Sequence, residues 1–154
     1  MDELKRIPPH HTEAEQSILG ALLIDRSALS EVSGRLKPDA FYLEKHKEIY
    51  EAILTLYEES LPVDIVTVSD VLAKRGTLEK VGDLDYIAYL ANSVPTTANV
   101  AHYVSIVEDK ALLRRLIAVS GEIMDLGYQG TMEGADVLNI AEKGIFDISQ
   151  GLNK

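Results

Sequence analysis

The last third of the chain contains a segment that is best explained by one long helix. From Thr97 to Leu126 there is no proline, and the only interior glycine is Gly121. At about 1.5 Å per residue, a helix of roughly 30 residues would be about 45 Å long. The three glycines of the following sequence, GYQGTMEG, predict a turn before a final helix from about Ala135 to Gln150. A long helix, a turn and a shorter helix predict an antiparallel helical hairpin.

Helical periodicity also dominates the residues before this hairpin. Helices are predicted, with approximate bounds, over residues 12–24, 27–34, 39–59, 67–75 and 83–91. The fourth of these is ambiguous, because Val63, Ile65 and Val66 would also suit a strand. A helix is favoured because Gly76 offers a C-terminal cap.

The expected fold class is therefore all-α. A compact multi-helix globular subdomain is predicted over residues 1–95, and the projecting antiparallel hairpin over residues 96–150. Residues 151–154 are interpreted as the start of a linker.

The composition excludes several kinds of chemistry. The chain has 154 residues, no cysteine and a formal net charge of −10. Without cysteine there is no disulfide or thiol chemistry, and a reducing cytoplasm is the natural compartment. No apolar run approaches the length of about 18 residues that a membrane span needs. Strong direct DNA binding is not expected either, because phosphate contacts need clustered lysine and arginine, which are scattered here.

The sequence RIPPHHTEAEQ brings two histidines and two glutamates close together, as a metal or acid–base site would. His10 and His11 are adjacent, so they cannot form the i, i+4 pair that holds an ion on one helix face. Thr12 and Glu15 have the T-x-x-E spacing of a capping box. Glu13 adds negative charge to the first turn, which the helix dipole favours. These residues therefore predict a helix start.

The usual catalytic motifs are missing from the sequence. GTLEKVG lacks the spacing and the lysine position of a phosphate-binding loop, and there is no G-x-S-x-G elbow. His46 lies on an apolar stripe and His102 lies in the long helix, positions at which a lone histidine is usually a packing or surface residue. We expect no enzymatic activity, metal or cofactor in this chain by itself.

Two apolar stripes run along the predicted long helix. One contains Leu112, Leu116, Val119, Ile123 and Leu126, and the other contains Leu113, Ile117 and Met124. Together they cover more of the helix than one neighbour buries, so a second copy of the chain is favoured as the partner. The alternative is that the globular subdomain covers the second stripe. The candidate oligomer-interface residues are Leu112, Leu113, Leu116, Val119, Met124, Leu126, Leu138 and Ile145.

Four segments, taken together, resemble a known family. RIPPHHTEAEQSILGALLID, PVDIVTVSDVLAKRG, LDYIAYLANSVPTTANVAHYVSIVEDKALLRRLI and AEKGIFDISQ are similar, in order and spacing, to the amino-terminal domain of bacterial replicative DNA helicases of the DnaB type. The resemblance extends from about Arg6 to Gln150, which is almost the whole chain.

The resemblance implies a non-catalytic domain that assembles with itself and docks a partner. It implies dimers, a trimer of dimers in a hexameric collar, and docking of the carboxy-terminal domain of primase at the replication fork in the bacterial cytoplasm. A helicase loader is a further candidate partner. Binding to a membrane is not expected. ATP and magnesium would bind a downstream ATPase motor domain. Because Lys154 precedes any motor motif, the chain is interpreted as an excised domain without ATPase or unwinding activity.

The same resemblance suggests Glu13, Tyr86, Ile117 and Ile123 as candidates for primase docking or coupling. Each also has a simpler interpretation: Glu13 as a charge at a helix start, Tyr86 as a core residue, and the two isoleucines as dimer contacts.

Two other functions stay open at this point. The chain would also suit a stand-alone α-helical regulatory protein that binds a partner helix in a groove. An acidic helical hydrolase with a metal bound by His10 or His11 is the third hypothesis.

Overall fold

The computed structural model describes residues 6–94 and 96–152, and in this part of the chain all regular secondary structure is helical. The prediction of an all-α fold is therefore confirmed. None of the described helices is both long and apolar enough to span a membrane. The helices are α1 (Thr12–Ile24), α2 (Leu29–Ser33), α3 (Glu44–Glu58), α4 (Ile65–Lys74), α5 (Asp83–Asn92), α6 (Val100–Gln129) and α7 (Gly134–Leu152), with short 3-10 turns at Arg26–Ala28 and Pro38–Ala40.

The chain forms two compact units, whose boundary lies within α6. One unit is His10–Asp109, and the other combines Lys110–Lys154 with Met1–Pro9. Residue 95, at which the predicted globular subdomain ends, lies outside the described residues. Of the predicted linker start at 151–154, residues 153 and 154 lie outside them too, whereas α7 continues through Leu152.

The third helix begins later than the sequence predicts. Pro38–Ala40 is a separate 3-10 turn, and α3 begins at Glu44 rather than near residue 39. Phe41 and Leu43 are extended, with ψ angles of 138° and 130°. The amides of Tyr42 and Leu43 donate to the Glu15 carboxylate of α1 instead of entering a helix. A contact between distant residues therefore interrupts the helix that the local pattern predicts.

The ambiguous segment after residue 62 is a helix, as favoured, but it begins two positions earlier than predicted. Asp64 is its N-cap and forms a complete capping box with Thr67, in which each side chain bonds the other residue's backbone amide. Such a box satisfies two amides that the first helical turn leaves unpaired.

The core of the His10–Asp109 unit is built from the apolar faces of its helices. Burial of one such side chain contributes about 1.5–3 kcal/mol. On α1, Gly20 is buried against α5, and a Cβ at this position would overlap the carbonyl oxygen of Leu90 and the side chain of Val94. The core includes Ile18, Leu19 and Leu22 of α1, Ile49, Tyr50 and Ile53 of α3, Leu72 of α4, Ile87 and Leu90 of α5, and Val104 of α6.

The second unit contains α7 and the part of α6 that begins at Lys110, and these form a helical hairpin. Gly130, at φ +65°, follows α6 and supplies the left-handed conformation of a helix C-terminal turn. The two helices pack closely at Gly144, because a Cβ on this residue would lie 3.0 Å from Cγ1 of Val119.

Candidate interaction surfaces and a buried polar network

A carboxylate and an imidazole meet inside the His10–Asp109 unit. Glu15 Oε1 lies 2.7 Å from His46 Nδ1, and both side chains are almost completely buried. The amide of Tyr42 donates to Glu15 Oε2 at 2.7 Å, and that of Leu43 donates to Oε1 at 3.5 Å. An isolated buried carboxylate would be costly, and these donors offset that cost.

The network continues from His46 to the surface-facing helix α5. His46 Nε2 lies 2.6 Å from the Tyr86 hydroxyl, which also accepts a 3.1 Å hydrogen bond from Gln16 Nε2. The donors and acceptors are satisfied when Nδ1–H donates to Glu15 and the Tyr86 hydroxyl donates to Nε2. Burial raises the pKa of Tyr86, so its hydroxyl keeps the proton that this arrangement needs.

This polar network has a structural role. It connects α1, α3 and α5 at the centre of the unit through Glu15, His46 and Tyr86. Because Glu15 and His46 are almost completely buried, a substrate has no access to them. The network therefore fixes the relative positions of three helices and holds Tyr86 with its hydroxyl directed inward.

The start of α1 differs from the prediction, because its two histidines have separate structural roles. His11, rather than Thr12, is the N-cap, and its Nδ1 accepts from the Ala14 amide at 3.0 Å. The predicted capping box is therefore wrong, because the Glu15 side chain turns into the core. His10 stacks on Tyr42 with ring centroids 4.2 Å apart. Within residues 6–94 and 96–152, no three histidine and carboxylate side chains are placed to hold a metal ion.

Two of the four docking candidates lie in the His10–Asp109 unit. Glu13 is exposed in the first turn of α1, and Tyr86 is only half-buried on α5. The Lys45 ammonium lies 4.0 Å from the centre of the Tyr86 ring, and Tyr89 stacks beside it at 6.1 Å. Tyr89 is exposed, so α5 presents a second aromatic side chain beside Tyr86.

The two stripes of α6 differ in burial. The residues of the first, including Ile123, are all half-buried, and Val119 of this stripe contacts α7 at Gly144. The residues of the second are exposed, among them Ile117 at 56% and Met124 at 57% of their full accessibility. Of the two docking candidates on α6, Ile117 is therefore accessible and Ile123 is partly covered.

Helix α7 also presents apolar side chains to solvent. Leu138 and Ile145, two predicted interface residues, are exposed, as are Ile140 and Phe146. The sequence places Leu138, Ala141, Ile145 and Ile148 on one stripe, but of these four only Ala141 and Ile148 are half-buried. The other half-buried residues of this part of α7 are Val137 and Gly144. The face of α7 that packs on α6 is therefore rotated around the helix axis relative to the predicted apolar stripe, because the small Gly144 is the residue that lies against α6.

Sequence reasoning missed the pairing of Glu15 with His46, although a signal for it was present. Glu15 lies three and four residues before Ile18 and Leu19, on the apolar side of α1. His46 lies on an apolar stripe of α3. A glutamate on one buried helix face and a histidine on another predict a buried pair when the two helices are adjacent.

The fold and these surfaces define an all-helical domain that presents exposed apolar side chains on α5, α6 and α7. The sequence profile described as DnaB-like helicase N terminal domain matches residues 7–109. The chain belongs to this family, and the predicted resemblance is confirmed.

Comparison with individual proteins agrees with this assignment. The replicative DNA helicase DnaC of Bacillus subtilis (strain 168) is 46% identical over 148 residues, which cover 96% of this chain and 33% of that protein. The crystal structure of the N-terminal domain of DnaB helicase from Mycobacterium tuberculosis matches with 42% identity and a TM-score of 0.84, over 92% of this chain and 99% of that one. The N-terminal domain of Helicobacter pylori DnaB helicase shares the fold at 21% identity and a TM-score of 0.64, over 83% and 99%. The chain spans between a quarter and about a third of the length of the curated relatives it matches.

Proposed function

We propose that this domain assembles with copies of itself through the α6–α7 hairpin and docks primase, within a replicative DNA helicase. The observation that carries the proposal is the exposed apolar surface of the hairpin, formed by the second stripe of α6 and by Leu138, Ile145 and Phe146 of α7. Exposed apolar surface of this kind marks an association site. A second copy supplies the same surface, so a two-fold contact would cover both.

Self-association is tested by sedimentation equilibrium of the isolated domain. Ile117→Asp places a charge on the exposed stripe, and Ile123→Asp places one on the half-buried stripe. We expect Ile117→Asp to dissociate the dimer with unchanged far-UV circular dichroism. Leu84→Asp, at an exposed position of α5 in the other unit, is the matched control. Equal sedimentation of the native chain and Ile117→Asp at micromolar concentrations would argue against the proposal.

Docking of the carboxy-terminal domain of primase is the second part of the proposal. The Helicobacter pylori domain has been described together with its interactions with primase. In this chain the support is the α5 surface, where Tyr86 is held by His46 and stacks on the exposed Tyr89. Aromatic side chains at a fixed position are typical anchors of interfaces.

Calorimetric titration with the carboxy-terminal domain of the cognate primase tests the docking. We expect saturable binding that Tyr86→Ala and Ile117→Ala weaken and that Glu13→Ala changes less, because Glu13 contributes only charge at the rim. Tyr86→Phe keeps the ring but removes the hydroxyl, so it separates direct contact from the buried hydrogen bonds. Binding that is unaffected by both Tyr86→Ala and Ile117→Ala, in the domain and in the full-length assembly, would refute the assignment of these residues.

The activity of the whole protein belongs to this proposal as well. We infer an ATP-dependent DNA helicase whose ATP and magnesium sites lie outside this domain, with the domain itself serving in assembly and recruitment. A DNA-unwinding assay of the full-length protein and of the isolated domain tests that division of roles. We expect only the full-length protein to unwind DNA.

A further inference from the structure

The side chain of Tyr86 is held in place by residues of three helices. Its hydroxyl lies 2.6 Å from His46 Nε2 of α3 and accepts from Gln16 Nε2 of α1 at 3.1 Å. The Lys45 ammonium lies 4.0 Å from the centre of the ring, and Tyr89 of α5 stacks beside it. A side chain that is already ordered in this way loses little conformational entropy when a partner packs on it.

The hydroxyl of Tyr86 is used inside the unit. Its single proton is donated to His46 Nε2, and Gln16 donates to its oxygen. The residue as a whole is only half-buried. What Tyr86 offers to a partner is therefore the apolar surface of its ring and no hydrogen-bond donor.

The backbone at the start of α5 is also shaped around Tyr86. Gly82 has a φ of +108°, and Asp83 follows with a φ of +64°, a left-handed conformation that is uncommon for a residue other than glycine. A Cβ on Gly82 would lie 2.7 Å from the Cβ of Tyr86, so only glycine fits there. Strained backbone of this kind is found preferentially at functional sites.

His46 is in turn oriented by Glu15. Glu15 Oε1 lies 2.7 Å from His46 Nδ1, and the amide of Tyr42 holds the same carboxylate at 2.7 Å. A carboxylate at Nδ1 keeps the imidazole proton on that nitrogen, which leaves the lone pair of Nε2 for the Tyr86 hydroxyl. A chain of hydrogen bonds thus connects a buried carboxylate to a residue at the surface.

We propose that Glu15 and His46 are positioning residues for partner docking: neither touches the partner, but together they fix the Tyr86 ring in the orientation on which the carboxy-terminal domain of primase packs. This inference rests on the primase docking proposed above and adds two buried residues to the four exposed or partly buried candidates. A Tyr86 ring released from its hydrogen bonds would occupy several orientations, and binding would then have to select one of them.

Calorimetric titration with the carboxy-terminal domain of the cognate primase tests this proposal on two substitutions of His46. An asparagine amide reaches the position of Nδ1, so His46→Asn can still donate to Glu15 but leaves the Tyr86 hydroxyl without its acceptor. A glutamine amide reaches the position of Nε2, so His46→Gln keeps that acceptor. We expect His46→Asn to weaken binding about tenfold and His46→Gln to recover most of the loss.

A double-mutant cycle shows whether His46 acts through Tyr86. In the Tyr86→Ala background, His46→Asn should have no further effect on affinity, because no ring is left to position. Tyr86→Phe keeps the ring and removes only the hydroxyl, so it should weaken binding about as much as His46→Asn, and the two losses should not add. A general structural defect would instead lower the affinity equally in both backgrounds.

Two control variants separate positioning from stability. Tyr50→Phe removes a buried hydrogen bond of the same helix, α3, that does not involve Tyr86. His102→Asn makes the same substitution at an exposed histidine. Both should leave the affinity for primase unchanged. Circular dichroism checks that each variant is folded, and if His46→Asn is not, Tyr86→Phe breaks the same hydrogen bond from its other end.

The outcomes distinguish this inference from the docking on which it rests. The inference is overturned, while docking stands, if the native chain binds primase and both His46→Asn and Tyr86→Phe bind equally well. It is also overturned if His46→Asn weakens binding to the same extent in the Tyr86→Ala background, or if Tyr50→Phe weakens binding as much. Absence of binding by the native chain, both isolated and in the full-length assembly, would overturn the docking and this inference together.

Discussion

Glu15 Oε1 and His46 Nδ1 lie 2.7 Å apart although 31 residues separate them in the chain. This contact joins α1 to α3, and the Tyr86 hydroxyl extends it to α5 at 2.6 Å from His46 Nε2. A small helical unit thereby gains one specific arrangement of three helices, which apolar contacts alone define less strictly.

Replacement of Glu15 by alanine should destabilise the domain strongly. The variant leaves His46 and the Tyr42 amide without their buried acceptor, at a cost of roughly 3 kcal/mol in the free energy of unfolding. Urea unfolding followed by circular dichroism measures the change. Glu13→Ala removes an exposed carboxylate two residues away and should stay within about 0.5 kcal/mol of the native chain. Equal losses for the two variants would show that the buried network contributes nothing specific.

Tyr50 should make the domain sensitive to alkaline pH. Its buried hydroxyl donates to the Leu36 carbonyl at 2.8 Å, and burial raises its pKa well above the usual value. The folded state therefore keeps a proton that the unfolded state releases above about pH 10. The stabilisation is complete below that pH and is lost as the pH rises toward the folded-state pKa.

Tyr50→Phe tests this dependence. The variant should be about 1 kcal/mol less stable than the native chain at neutral pH, because it lacks the hydrogen bond to Leu36. The difference should shrink as urea unfolding is repeated above about pH 10. Tyr128→Phe, at an exposed position, is the control and should show no such convergence. A constant difference across this range would contradict the assignment to Tyr50.

Gly20 and Gly121 should respond in opposite ways to the same substitution. Gly20→Ala forces a methyl group against the Leu90 backbone and should cost roughly 2–3 kcal/mol. Gly121→Ala meets open space within α6 and should stabilise the helix by about 0.5–1 kcal/mol. Melting temperatures of both variants provide the comparison. Stabilisation by Gly20→Ala would mean that α1 and α5 do not approach as closely as the structure places them.

The N-cap of α4 should contribute measurably to stability. Asp64→Ala removes the 2.9 Å hydrogen bond to the Thr67 amide and should cost about 1 kcal/mol. Asp64→Asn retains an acceptor oxygen and should recover most of the loss. Chemical unfolding of both variants distinguishes capping from a general effect of charge, since only the latter predicts equal losses.

The sequence alone determined the helical elements and the surplus of apolar surface. The bounds of α1 were predicted correctly, and α5 and α7 differ from their predicted bounds by two residues or fewer at each end. The two stripes of α6 were also found from spacing alone, because helical periodicity is a local property that each segment carries by itself. Their different burial matches the expectation that one neighbour covers only one of them.

Tertiary structure decided which partner each polar side chain takes. The T-x-x-E spacing predicted a capping box for Glu15, but His46 and the Tyr42 amide offered this carboxylate a buried site, and His11 took over the cap. The same contact removed residues 41–43 from the start of α3. A hydrogen bond between residues far apart in sequence leaves no periodic signal, and in a medium of low polarity it is stronger than the exposed local alternative.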